Sequence, residues 1–284
     1  MLEKISVGKS KMPSVGLGLW KLDQSETTSI IVDGIKSGYR HLDSAADYGN
    51  EIQVGEGIKR VLDQGICRRE DLWITSKLWN TFHHPEHVLP ACEKSLRDLG
   101  IDYLNLYLIH FPISLKYVDF DTRYPPEWIF DPAAENPRMH IDPVPLSETW
   151  HAMEGLVERG LVKEIGVCNY NSSLLHDLIA YSSIKPAMLQ IESHPFLTQE
   201  KLIKTAKNYG MAVTCFSPLG ALSYMELEMA DKNESVLNEH AVRVAAKRLN
   251  RTPAQVVLRW GLQRGTAVIP KTSQKKRLME NQSL

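Results

Sequence analysis

The sequence predicts a single (β/α)8 barrel, the TIM-barrel class of α/β fold. Eight short apolar segments alternate with helical patterns from one end of the chain to the other. The segments are apolar runs rather than strict alternations, as strands covered on both faces must be. No linker interrupts them, so residues 1–284 read as one domain, and that length suits one barrel.

The elements follow in order. The predicted strands are Gly16–Leu19, Arg40–Asp43, Leu72–Lys77, Tyr103–His110, Ile165–Cys168, Met188–Glu192, Ala212–Phe216 and Ala267–Pro270. Asp23-Gln24-Ser25-Glu26 has the form of a capping box and opens a helix running to about Ser37. Asn171 can cap a helix with Leu174, Leu175, Leu178 and Ile179 on one face. Thr252-Pro253-Ala254-Gln255 combines an N-cap, a proline at the first helical position and Gln three residues after the cap. Val242, Ala245, Ala246 and Leu249 have the spacing of an apolar helix stripe. Two stretches break the rhythm. Residues 112–145 carry many prolines and the aromatics Tyr117, Phe120, Tyr124, Trp128 and Phe130, which suits an ordered loop covering a pocket. Residues 217–235 form a second long loop, after the seventh strand.

Composition excludes several classes. The 43% apolar and 24% charged content is that of a soluble globular protein. A net charge of −1 gives no reason to expect nucleic acid or an anionic membrane as partner. No stretch is long enough to span a bilayer, and the start Met1-Leu2-Glu3-Lys4 lacks an apolar signal core. Cys67, Cys92, Cys168 and Cys215 are scattered, as free thiols in a reducing cytosol are, so a cytoplasmic protein is expected; its expected state is a monomer or homodimer. The run His83-His84-Pro85-Glu86-His87 lacks a second cluster to complete a metal site and reads as a loop and helix start, so no metal is expected.

Three successive strands deliver a reactive residue to their C-terminal ends: Asp43, Lys77 and His110, with Tyr48 soon after the first. In a parallel barrel those ends share the catalytic face. A free phenol, with a pKa of about 10, holds its proton too tightly for rapid transfer at neutral pH. A neighbouring ammonium stabilises the phenolate, and a carboxylate keeps that ammonium charged. Asp43, Lys77 and Tyr48 thus form a tuned proton donor, and His110 can orient a substrate oxygen. No nucleophile stands beside a base, and no second carboxylate ends a matching strand. A proton donor without a nucleophile suits carbonyl reduction with a cofactor hydride.

These motifs resemble the aldo-keto reductase superfamily. Gly16-Leu17-Gly18-Leu19-Trp20, Leu42 to Glu51, Ser76-Lys77-Leu78-Trp79, Ile109-His110-Phe111-Pro112, Ile165 to Tyr170 and Ile269-Pro270-Lys271-Thr272-Ser273 carry the resemblance, in order, over essentially the whole chain. It implies a (β/α)8 barrel and NADPH as cofactor, with Tyr48 the general acid, Lys77 and Asp43 its tuners and His110 the carbonyl-orienting residue. It also implies that Asn169 and Gln190, with Cys168 in a place often held by Ser, hold the nicotinamide carboxamide. Phe216 would stack on the ring, and Ser217, Leu219 and Gly220 would line the pyrophosphate. Lys271, Thr272, Ser273, Arg277 and Asn281 would grip the adenosine 2′-phosphate and adenine; without the resemblance they would read as a solvated basic helix end. Glu226 matches a position that can accept the ribose of NADH, so NADPH preference with some NADH use is expected. A Rossmann fingerprint is absent, since Lys21 stands where the third glycine would be.

Trp20, Trp79 and Phe111 lie just beyond strand ends and would wall an apolar substrate pocket. The segments Phe111 to Tyr117 and Tyr124-Pro125-Pro126 resemble xylose reductases. Asp47 matches a sugar-hydroxyl position there, though a plain turn residue is an even alternative. The resemblance makes an aldehyde or open-chain aldose such as xylose the expected substrate, and a sugar phosphate an alternative. A different class also shares this barrel: NADPH-binding redox-sensing subunits of larger assemblies. The family usually continues past the position of Leu284 with a closing helix and a specificity loop, which implies a truncated chain or an unusually open pocket.

Overall fold

The structure, a computed structural model, describes residues 3–220, 224–231 and 235–284. It begins with an antiparallel hairpin, β1 (Lys4–Val7) and β2 (Ser10–Pro13). Eight parallel strands then follow in sequence order: β3 (Leu17–Gly18), β4 (His41–Asp43), β5 (Trp73–Leu78), β6 (Leu104–Ile109), β7 (Val162–Cys168), β8 (Met188–Glu192), β9 (Ala212–Phe216) and β10 (Ala267–Val268). The sheet closes on itself. Val15 bridges Val268 in parallel, and Gly18 N donates to the Pro270 carbonyl at 3.2 Å. This is the (β/α)8 barrel expected, with every predicted strand found and most boundaries trimmed or moved by a residue or more.

The helices are α1 (Gln24–Lys36), α2 (Glu51–Asp63), α3 (Pro85–Leu99), α4 (Leu146–Glu158), α5 (Ser172–Tyr181), α6 (Glu200–Asn208), α7 (His240–Leu249), α8 (Pro253–Gln263) and α9 (Lys275–Gln282). Their starts show how the sequence writes local structure. Asn171 accepts from Leu174 N at 3.0 Å, and Thr252 with Gln255 forms a reciprocal capping box, 3.2 and 2.9 Å. Asp23 does cap α1, but through Ser25 N at 2.8 Å, without a reciprocal bond from Glu26 among the described residues.

Two expectations need correction. The hairpin β1–β2 was not anticipated, because its strands are four residues long and mostly polar. It sits across one end of the barrel, where Val7 and Met12 are buried with Trp73, Leu106, Leu108 and Met188. The predicted stripe on α7 is largely unburied: Ala246 is buried, while Leu249 at 55% exposure faces solvent. Helical spacing shows which residues share a face, and only packing shows whether that face is covered.

The barrel wall places the site. Asp43 ends β4, Lys77 is next to last in β5, and His110 follows β6. Because all eight strands run the same way, these residues share one rim. The loop after β6 is ordered above them: Leu115 bridges Ile141, and Lys116 N donates to the His140 carbonyl at 2.9 Å. Arg123 gathers the carbonyls of Pro126, Ile129 and Phe130 and so knots the loop's middle.

Candidate active site

The rim opens into a cleft of about 830 Å³. Its size suits a small-molecule or cofactor site. Beneath its floor, behind the lining residues Asp43 and Tyr48, lies Lys77, fully buried. The Lys77 ammonium donates to Asp43 Oδ1 at 2.5 Å, to the Ser44 carbonyl at 2.7 Å and to the Tyr48 hydroxyl at 3.1 Å. All three donors of the ammonium are therefore used, and a buried cation is tolerable on those terms. Burial disfavours its charge, but Asp43, with Tyr48 and Cys168, outweighs that and holds Lys77 above its ordinary value. Tyr48 is brought to Lys77 by a single 3-10 turn, Ala46–Tyr48, between β4 and α2, closed by Gly49 in the left-handed region.

One expectation changes here. The ammonium does lower the Tyr48 pKa, but burial outweighs it and pushes the phenol up to about 12. Tyr48 is thus held protonated across the neutral range. An ammonium so placed can stabilise a phenolate as it forms, but it does not leave a standing phenolate. His110 is buried, and burial together with Lys77 holds its pKa well below the ordinary value, so its imidazole is neutral. The ring lies edge-on to Tyr48 and Trp79, with centroids at 5.9 and 5.2 Å, and stacks on Phe111 at 4.9 Å.

The cleft lining gathers most of the residues singled out from sequence: Asp43, Tyr48 and His110, the aromatics Trp20, Trp79 and Phe111, and Asp47. Burial, followed by the charge of Glu127, pushes Asp47 up to about 7. Along the other arm lie Cys168, Asn169, Gln190, Phe216, Ser217 and Leu219, and then Lys271 and Arg277 at the exposed end. Asn169 and Ser217, each just after a barrel strand, hold positive φ angles of 62° and 44°. Strained backbone of this kind concentrates where function over-determines it. Gly18 lines the same cleft; a Cβ there would sit 2.6 Å from the Ile269 carbonyl oxygen, so barrel closure itself demands glycine.

Other expected positions stand apart from the lining. Gly220 turns the chain behind it, donating to the Ser217 carbonyl at 2.8 Å. Thr272 is buried and caps the approach to α9 by accepting from Gln274 N, Ser273 is exposed, and Asn281 is buried on α9. The Glu226 side chain lies outside the described residues. Gln190 does more than line the cleft: its amide donates to Asp43 Oδ2 at 2.7 Å, leaving its own oxygen as acceptor. Asn169 likewise donates to the His110 carbonyl at 2.9 Å.

Sequence reasoning missed three contributors. Trp128, noticed only as a loop aromatic, comes down edge-on to Trp79 at 4.8 Å and to Phe111 at 5.0 Å. Glu192, the last residue of β8, accepts from the Tyr224 hydroxyl at 2.9 Å and pairs with His194 at 3.1 Å. Glu192 corrects the expectation that no second carboxylate ends a matching strand: it ends β8 and lines the cleft, and the strand-end rule that found Asp43 and Lys77 would have found it too. Tyr224 had no such signal.

The residues present fit a nicotinamide dinucleotide phosphate. Phe216 offers a half-buried ring beside the amide-bearing Asn169 and Gln190. Lys271 and Arg277 line the far end, and neither has an ionic partner among the described residues, as a site for a dianionic phosphate requires.

A parallel barrel with this buried Asp–Lys–Tyr cluster at its rim defines a class of oxidoreductase. The sequence matches the Aldo/keto reductase family over residues 5–284, and the chain belongs to that family. It is 49% identical to a probable NAD(P)H-dependent D-xylose reductase of Arthroderma otae over 272 residues, covering 95% of this chain and 82% of that protein. It is 47% identical to an NAD(P)H-dependent D-xylose reductase of Pyricularia oryzae, covering 95% and 83%. Among solved structures, the aldose reductase of Schistosoma japonicum superposes with a TM-score of 0.88 at 39% identity, covering 99% of this chain and 86% of that one.

Proposed function

We propose that the protein reduces an aldehyde or open-chain aldose to the alcohol with NADPH, and that NADH serves less well. The observation that carries this is the single ammonium of Lys77 held between Asp43 and Tyr48 at 2.5 and 3.1 Å, beneath the floor of an aromatic cleft. The D-xylose in the fungal relatives' names makes an open-chain pentose the first substrate to test.

When bound, NADPH supplies the hydride that adds to the carbonyl carbon. The chain's own residues do the rest. The Tyr48 hydroxyl gives its proton to the carbonyl oxygen, and the neighbouring ammonium stabilises the phenolate left behind. Asp43 keeps that ammonium charged, and Gln190 fixes Asp43 by its second oxygen. The neutral His110 donates a hydrogen bond that orients the carbonyl. Trp20, Trp79, Phe111 and Trp128 keep water from the reacting atoms. Lys271 and Arg277 hold the cofactor's 2′-phosphate, while Phe216, Asn169, Cys168 and Gln190 hold its nicotinamide end. Asp47, near the substrate aromatics, meets a sugar hydroxyl. Among the described residues no helix is long and apolar enough to cross a membrane.

The test is NADPH oxidation with xylose, glyceraldehyde and benzaldehyde, comparing wild type with Tyr48→Phe. Turnover that Tyr48→Phe removes, with NADPH affinity kept, is the expected result. An active Tyr48→Phe enzyme overturns the acid assignment. Cofactor binding without turnover of any aldehyde would point to the redox-sensing class instead.

A further inference from the structure

Behind the catalytic strand lies a buried carboxylate that the reaction does not use. Successive residues of a strand point to opposite faces, so Lys77 points inward to Asp43 and Tyr48 and its neighbour Ser76 points outward to the helix layer. There the Ser76 hydroxyl donates to Glu51 Oε1 at 2.6 Å. The other oxygen of Glu51 accepts from Ser95, on α3, at 2.9 Å. Glu51 is the first residue of α2 and stands three residues after Tyr48. It is 3% exposed. One carboxylate thus ties the segment that carries Tyr48, the strand that carries Lys77, and α3.

A buried carboxylate is a costly tie. Burial pushes Glu51 up to about 7, against the two serine bonds that lower it. Asp98 and Lys94 on α3 also act on it, and they pair with each other at 2.6 Å. Tyr107 of β6 and Tyr124 of the long loop share the same pocket. Packing alone would be served by an apolar side chain of similar volume. What the carboxylate adds is a hydrogen-bonded tie between the start of α2 and β5, behind the Lys77–Tyr48 contact of 3.1 Å. Asn50 acts in the same sense, since its amide donates to the Leu19 and Leu22 carbonyls at 3.0 and 3.4 Å.

We propose that Glu51 is a positioning residue for proton transfer, setting the Tyr48–Lys77 separation from behind through Ser76. This rests on the reading of Tyr48 as the acid. A loosened tie moves the ammonium away from the phenol, and less phenolate stabilisation follows. Misplacement on the scale of an ångström can cost on the order of 100-fold in rate.

The experiment compares Glu51→Ala, Glu51→Gln, Ser76→Ala and Tyr48→Phe in the full chain. It measures kcat and KM for an aldehyde, the pH profile of alcohol oxidation, NADPH affinity by protein fluorescence, and thermal unfolding. Glu51→Ala is expected to lower kcat about tenfold or more, with KM and NADPH affinity within about twofold. The limb of alcohol oxidation that reports the phenolate moves to higher pH in Glu51→Ala and Ser76→Ala. Glu51→Gln, which keeps the size and one acceptor, recovers most of the rate and leaves the limb in place. Should Glu51→Ala fail to fold, Ser76→Ala carries the same test, because the carboxylate keeps Ser95. A folded variant with unchanged kcat, or a loss of kcat with no movement of the limb, overturns the proposal. If Tyr48→Phe is active, the acid reading itself fails. If Tyr48→Phe is inactive while the Glu51 and Ser76 variants match wild type, only the positioning proposal fails.

Discussion

The two ends of the cleft are built on opposite electrostatic plans. At the floor, Lys77 is sealed from solvent and every donor is spent on Asp43, Ser44 and Tyr48. At the rim, Lys271 and Arg277 line the cleft without an ionic partner among the described residues. On the proposed mechanism the floor needs a charge whose position is fixed before substrate arrives, so that nothing reorganises during proton transfer. The rim needs a charge still available to a ligand. A paired cation would lose its protein contact on binding and return little net affinity. Floor and rim should therefore respond differently to substitution, pH and salt.

The largest expected effect is at the floor. Lys77→Met removes the ammonium that stabilises the phenolate and should lower kcat roughly 1,000-fold, with NADPH affinity nearly intact. Loss of cofactor binding in proportion would mean the floor is not separate from the rim. Next comes the rim. Arg277→Ala should weaken NADPH about tenfold, leave NADH almost unchanged and flatten the salt dependence of NADPH binding. Equal weakening of both cofactors would remove the 2′-phosphate from Arg277.

The third expected effect is on stability and pH. His41 and His83 are held down to about 4, by burial first in each, and His110 lies well below its ordinary value. Above the unfolded value of 6.5 these histidines need no proton in either state. As pH falls from there toward 4, the unfolded chain takes protons that the native state refuses, so stability is lost toward acid. Each histidine contributes up to about 1.4 kcal/mol per pH unit. Neither His83 ring nitrogen has a hydrogen-bond partner among the described residues. His83→Leu should therefore leave stability at neutral pH intact and flatten the acid slope in Tm. An unchanged slope would locate the acid sensitivity elsewhere. The smallest effect concerns Asp47, which lies between floor and rim in character. With its carboxyl pushed up to about 7, KM for an aldose should drift across neutrality while KM for benzaldehyde does not. Asp47→Asn should remove that drift, and a drift that persists would clear Asp47 of substrate contact.

The two plans also differ in how visibly the sequence wrote them. Asp43, Lys77 and His110 were legible because each closes an apolar strand run, and a parallel barrel sends such residues to one face whatever the details of packing. Lys271 and Arg277 were legible only through the family resemblance, since a basic helix end has no local signature of a ligand. Trp128 could be named as a loop aromatic but not seated against Trp79, because its place depends on how Arg123 knots a loop without regular structure. Glu51 had every local mark of a helix-start acid and none of a buried one.

By itself the sequence determined the strand order, the strand-end residues, the helix caps at Asn171 and Thr252, and the class of chemistry. These depend on periodicity and near neighbours, which one dimension records. Only the tertiary structure decided the sign of the Tyr48 shift, the hairpin across the barrel end, the exposed face of α7, and the tie from Glu51 to Ser76. Each of these is set by burial and by contacts distant in sequence, and desolvation is a property of the fold, not of the chain.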